Sequence, residues 1–238
     1  MKYGKLFMLL ALTSLIFSCK KENDTDLIDF RYDYINNTIG NYITYQVDST
    51  IYNDFDNSVR SSTNMFKDKV VDQFTDNLGR TAYRVERSVL DTASQTWRAR
   101  RSYYYVLTAS NLERVEENLR YVVFLFPPKV GLTWAGNKYI DPVDNNKFLS
   151  NWNYTFSSVD VPASINGIDY PITSTVLLVD KENAIEKIFA KETYAEGIGL
   201  VYKEWWHLET QKIVDDPWTV KAQKGFIVKM QATGHGIE

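Results

Sequence analysis

The chain has 238 residues, with 27 Lys and Arg against 30 Asp and Glu, a formal charge of −3 and an aromatic content of 14%. A mildly acidic chain lacks the basic face that nucleic-acid binding requires, so nucleic acid is excluded as a partner. A single cysteine excludes an intramolecular disulfide and a cysteine metal cluster, and the length suffices for one sizeable β domain.

The chain opens with Lys2 and Lys5, followed by an apolar run from Leu6 to Phe17 that is broken only by Thr13 and Ser14. The run is too short to cross a bilayer as a helix, which takes roughly 20 residues, and it fits the apolar core of a secretory signal. It ends Ile16-Phe17-Ser18-Cys19. A small residue before the cysteine resembles the bacterial lipobox, with Phe17 standing where a smaller residue is usual, a departure common among Bacteroidota lipoproteins. The resemblance implies cleavage after residue 18, acylation of Cys19 and anchorage in the outer membrane, with the cell surface and the periplasmic face both open. Two or more acyl chains hold a protein stably where one holds it weakly. The expected division is a signal peptide over 1–18, a lipidated cysteine and flexible tether over 19–28, and a single β domain over 29–238. Loss of Lys2 and Lys5 with the signal moves the formal charge from −3 to −5.

Residues 27–40 carry a loose helical spacing and predict a short helix or turn. From Asn41 to Tyr52, Ile43, Tyr45, Val47, Ser49 and Ile51 alternate with Thr44, Gln46, Asp48 and Thr50, the period of a half-buried strand. Residues 53–62 read as turn chemistry, and 64–76 as a second strand. Asp76 to Gly79 read as a tight turn into a third strand that ends near Asp91. Trp97 to Ala109 alternate again, two further short strands follow, and Pro127-Pro128 stop the second. Residues 130–147 are loop-rich. Trp152, Tyr154 and Phe156 share one face of the next strand, Asn166-Gly167 mark a hairpin, and 171–180 form its partner. Residues 182–191 carry both helical spacing and a strand continuation, and strand is favoured because Phe189 to Tyr194 lead straight into the following one. Residues 218–232 read as a closing strand or a broken pair.

Nine or ten strands with no helices alternating between them predict a mainly β fold. The expected form is a single antiparallel sheet curled into a barrel or half-barrel, with a β-sandwich as the alternative. The segment Tyr194-Ala195-Glu196-Gly197-Ile198-Gly199-Leu200-Val201-Tyr202-Lys203-Glu204 is similar to one found near the C-terminus of small Bacteroidota lipoproteins. More remotely, the pattern resembles the open β-barrels of the LolA and LolB lipoprotein carriers. Gly197 and Gly199 are expected to allow a sharp bend or the close approach of another backbone.

The two histidines, His207 and His235, stand alone, and phosphate loops, Rossmann glycines and the serine-hydrolase elbow are missing. No cofactor, metal site or catalytic residue is assigned. Glu113, Glu116, Glu117, Glu204 and Glu209 read as solvated, and the oxygen-rich turns at 53–57 and 141–146 as ordinary turn chemistry. Arg84, Arg87, Arg98, Arg100 and Arg101 form the one basic concentration; on neighbouring strands they could make an anion-binding patch, and pairing with Glu86 and Glu113 is the preferred reading. Adjacent Trp205 and Trp206 must point to opposite faces of a strand. With Trp152 and Tyr154 they are the candidate ligand-binding residues, able to stack on a sugar or line an apolar pocket, with plain core packing of a disulfide-free β domain as the favoured alternative. Asp91-Thr92-Ala93, and less so Asp48-Ser49-Thr50, resemble the O-glycosylation motif of exported Bacteroidota proteins, with Thr92 the better acceptor. The expected function is a non-enzymatic, lipid-anchored module that binds a lipid, a glycan or an envelope protein. The alternatives are an accessory subunit with no small ligand and a carboxylate-dependent hydrolase.

Overall fold

The computed structural model of the protein describes residues 29–141, 143 and 148–238. The expected signal peptide, Cys19 and the tether fall outside the described residues, as does most of the 141–146 turn. Twelve strands form one antiparallel sheet: β1 (Asn41–Asn53), β2 (Ser58–Thr75), β3 (Thr81–Asp91), β4 (Thr96–Leu107), β5 (Asn111–Glu116), β6 (Leu119–Leu125), β7 (Thr133–Ala135), β8 (Asn153–Ile165), β9 (Ile168–Glu182), β10 (Glu186–Ala195), β11 (Gly199–Glu209) and β12 (Lys224–Ile237). The sheet order runs from β6 back to β1, then to β12 and back to β7. Every hairpin therefore pairs neighbours in the chain, and the first and last strands pair with each other.

The sheet curls until it is nearly closed into a barrel. Its two edges, β6 and β7, meet where the Val122 amide donates to the Gly136 carbonyl at 2.8 Å and the Trp134 indole donates to the Val122 carbonyl at 2.7 Å. Aromatic packing holds this seam from inside. The Phe124 ring lies 4.9–5.4 Å from the rings of Phe156, Tyr194, Phe126 and Tyr34, all of them buried. Offset and edge-on contacts of this kind add to the burial energy of each ring. The ring of Tyr154 sits where any side chain at position 136 would stand, so only glycine fits at the seam.

Local chemistry explains the hairpins. Asn166 and Gly167 both take positive φ, 52° and 77°, as a two-residue turn of matching twist requires. The Asp76 carboxylate accepts from the amides of Leu78 and Arg80 and fixes the β2–β3 turn. Of the stretch 27–40, the described residues from 29 onward hold a three-residue 3-10 turn, Tyr32–Tyr34, and no longer helix. Residues 182–191 enter β10 from Glu186, because β9 and β11 pair with it on both sides. Three expectations change. β2 begins at Ser58, inside the stretch read as turn, since it pairs with β1 through Asn53. The loop-rich stretch contains β7. A short helix, Trp218–Lys221, precedes β12 where strand was expected. It lies over Tyr52, Trp206 and Leu208 on the barrel's outer face.

β2 meets β3 only from Phe66–Val89 to Thr75–Thr81, and β4 meets β5 only from Tyr104 to Leu107. At one end of the barrel β2 and β4 therefore lack a ladder on their β3 and β5 sides, while β1 stays paired with β12 as far as Tyr52. At the other end the N-terminal segment folds across the opening. Tyr34 is buried there and donates to the Asp160 carboxylate at 2.6 Å.

Candidate functional site

Alternation along the strands places every second side chain inside the barrel. The interior holds two cavities stacked along the axis, of about 380 Å³ and 760 Å³, with no lining residue in common. On β1 the boundary falls between Tyr45, which lines the smaller, and Val47, which lines the larger.

A polar layer crosses the barrel at that level. Arg87 holds Asp68 through two bonds of 2.6 Å, and the Tyr103 hydroxyl donates to Asp68 at 2.8 Å. Arg114 donates to Glu192 at 2.8 Å, Lys203 reaches Glu192 at 3.1 Å, and Tyr194 donates to it at 2.6 Å. Glu116 lies 3.2 Å from Arg101, 3.8 Å from Arg114 and 3.9 Å from Arg87. Burial alone would raise the Glu192 carboxyl, but Arg114 and Lys203 hold it down to about 2. Burial likewise opposes ionisation of Glu116, and Arg114, Lys203, Arg87 and Arg101 overcome it to hold the carboxyl below its ordinary value. Lys203 is lowered by burial and by the charge of Arg114. Buried charges are tolerated only when paired in this way.

The larger cavity is a cup. Val47, Leu149, Trp152, Tyr154, Leu178, Ala190 and Met230 are buried in its lining, and Ile51, Arg101, Glu117 and Lys224 are exposed at its rim. Its walls differ in chemistry. Arg87, Arg101, Arg114, Glu116 and Glu117 come from β3 to β5 and the turn beyond, whereas Trp152, Trp205, Phe226, Val228 and Met230 come from β11, β12 and the entry to β8.

Of the four candidate ligand-binding residues, Trp152, Tyr154 and Trp205 come together in this lining, with the rings of Trp152 and Trp205 6.2 Å apart and edge-on. Trp206 does not join them. It points outward, donates to Glu204 at 2.9 Å and packs beneath the short helix. Tyr154 is held by Asn137, which accepts its hydroxyl proton at 2.7 Å. Thr92 is exposed in the β3–β4 turn, while Ser49 of the other glycosylation motif lines the cavity.

The arginine pairing differs from expectation. Arg84 pairs with Asp72, Arg98 with Asp91, Arg87 with Asp68 and Glu116, and Arg101 with Glu116 and Glu117. Glu113 is taken instead by Arg80 and Arg120, because it faces outward from β5 between those two side chains. Glu113 is buried and Glu116 lies in the cavity wall, so neither is the solvated residue the sequence suggested. The 53–57 turn spends Asn53 and Asp56 on backbone amides. Among the described residues no group of three His, Cys, Asp or Glu side chains is placed to hold a metal.

Gly197 and Gly199 lie in the β10–β11 turn with φ of 71° and 110°. The Gly197 amide donates to the Asp33 carbonyl at 2.7 Å, and its carbonyl accepts from Asn36 at 3.0 Å. A Cβ at position 197 would meet nothing within 4 Å, so the positive φ of the turn, and not the approach of the N-terminal segment, accounts for the first glycine. Arg114, Glu192 and Lys203 were not singled out in the sequence. The signal they left was phase: each occupies an inward position of an alternating strand. Comparison of the chain with protein-family models finds no match, and comparison with curated protein sequences finds none.

Proposed function

We propose that the protein is a non-enzymatic ligand-binding module of the cell envelope, held at the outer membrane through acyl chains on Cys19, with its ligand inside the larger cavity. The observation that carries this reading is the cavity itself. About 760 Å³ edged by Trp152, Tyr154 and Trp205 falls within the roughly 300–1,000 Å³ usual for small-molecule sites. The outward positions of β1 and β3 carry Gln46, Asp48, Arg84 and Glu86, a surface that suits water. The N-terminal segment crosses the small-cavity end, so a tether leading from it would leave the cup facing away from the anchor.

The test is native mass spectrometry of the chain from Lys20 onward, gently purified and then extracted with solvent. The described fold is built from residue 29 onward, so the shortened chain keeps every strand. A lipid or glycan released on extraction supports the reading, and a bare mass after purification from envelope extract counts against it. One observation favours a second reading. β2 from Ser58 to Met65 has no strand on its β3 side, and such an edge can take a strand from a partner. On that reading the protein is an accessory subunit of an envelope assembly, and crosslinking to a partner through this edge with an empty cavity would favour it.

A further inference from the structure

Resting on the cavity reading, we infer that the larger cavity selects an amphipathic anion: one acyl chain along the aromatic wall, with its carboxylate or phosphate head against Arg114, Lys203 and Arg101. Three observations on the cavity wall converge on this class. The first is charge. Arg87, Arg101, Arg114, Lys203 and Lys224 line the cavity against only Glu116 and Glu117. Asp68 and Glu192 lie directly behind and are engaged by Arg87, Arg114 and Lys203, and Lys224 is paired with Glu209 at the rim, so the charges balance overall while the cavity face itself presents the cations to an entering head group.

The second is hydrogen bonding. The Nε of Arg114, a residue 6% exposed, and the indole nitrogen of Trp205 are buried without a hydrogen-bond acceptor among the described residues. The nearest carboxylate to that Arg114 nitrogen is Glu116 at 3.8 Å, beyond hydrogen-bond reach. A buried donor left unsatisfied costs about 1–3 kcal/mol, and an anionic oxygen entering the cavity can accept from it. A neutral ester oxygen accepts from such a charged donor more weakly than an ionised oxygen does. The third is the division of the wall. Trp152, Trp205, Phe226, Val228 and Met230 stand on β11, β12 and the entry to β8, and Arg87, Arg101 and Arg114 on β3 to β5; Lys203 on β11, 5.9 Å from the Trp205 ring, joins the two sides, so the head sits where they meet and the tail runs along β12. Lys203 is lowered by burial and by Arg114, and an anion beside it relieves both.

The experiment titrates the chain from Lys20 onward with a dibrominated stearic acid, with its methyl ester, and with a brominated lysophosphatidic acid. It reads quenching of tryptophan emission, which bromine produces on contact. Only Trp152 and Trp205 of the six tryptophans line the cavity. We expect the acid to bind at least ten-fold tighter than the ester, with less quenching in Trp205→Phe. Tighter binding of the phosphate than the acid would assign a lipid headgroup, and the reverse a free fatty acid. Arg101→Gln, at an exposed rim position, should lower the preference for acid over ester several-fold, and Lys203→Met should lower it further. Equal binding of acid and ester overturns the anion inference and leaves the cavity reading standing. A preference unchanged in both variants overturns the seat assigned to the head. Binding of none of the three probes overturns the inference outright, while a neutral ligand found by extraction would then keep the cavity reading alive.

Discussion

The two ends of the barrel are made from the same strands and differ in what the chain does with them. The smaller cavity is lined by Ile43, Tyr45, Tyr103, Tyr105 and Tyr194, and its one carboxylate, Asp68, is already held by Arg87 and Tyr103. Tyr34 closes that end, with Arg31 of the same segment tied to Asp160 at 3.0 Å and to Glu196 at 3.2 Å. The larger cavity has no such cover among the described residues and carries more charge. The contrast separates two uses of a barrel interior. One end is finished by its own sequence and contributes stability. The other is left in a state that a ligand can complete. The polar layer between them lets both coexist, because its ion pairs give each cavity a wall.

Breaking that layer should have the largest effect. In Glu192→Gln, Arg114 and Lys203 lose the carboxylate they share, and removal of one partner of a buried pair costs about 3–5 kcal/mol. Urea unfolding should show a loss of that order, and a loss under 1 kcal/mol would mean that the layer divides the interior without holding it. The pH dependence sharpens the same point. The Glu192 carboxyl in the folded protein lies at about 2 against an ordinary 4.5. Its contribution to stability is therefore complete above pH 4.5 and is lost as pH falls toward 2. The wild-type protein should lose stability across that window, and Glu192→Gln should lose less. Parallel slopes for the two proteins would assign the acid sensitivity elsewhere.

How far the two regions could be read from the sequence follows from the same layer. The strict alternation of Ile43, Tyr45, Val47, Ser49 and Ile51 put all five on one face, and all five line the cavities. The aromatic triplet Trp152, Tyr154 and Phe156 was also legible, because period-two spacing needs only local sequence. Asp68, Arg114, Glu192 and Lys203 were not, and Arg87 was legible only as one of a basic group with other partners. They come from β2, β3, β5, β10 and β11, and a charged residue read singly suggests solvent or a local pair. Only the ladder register places them at one level. The short β7 escaped for a different reason: three residues carry no period, and Gly136 matters through the Tyr154 ring that covers it.

At the finished end the expected effect is smaller. Tyr34→Phe keeps the ring against Phe124 and deletes the hydroxyl that donates to Asp160. A hydrogen bond to a charged group contributes about 1.5–3 kcal/mol, so denaturant midpoints should fall accordingly. Binding of the brominated acid should be untouched, since neither Tyr34 nor Asp160 lines the larger cavity. A change in that affinity would show that the two ends communicate through the layer.

The smallest effects separate the adjacent tryptophans. Trp206→Phe deletes the indole donation to Glu204 on the outer face, and a typical hydrogen bond contributes about 0.5–1.5 kcal/mol. Trp205→Phe deletes an indole nitrogen that has no acceptor to lose, so its stability should match or exceed that of Trp206→Phe. In ligand binding the order reverses. Quenching by the brominated acid should persist in Trp206→Phe and weaken in Trp205→Phe, because only Trp205 lines the cavity. Two neighbours on one strand would thus be told apart by opposite readouts, stability for the outward residue and ligand contact for the inward one. Equal quenching in both variants would place the acid outside the barrel, on the surface that Trp206 shares with the short helix.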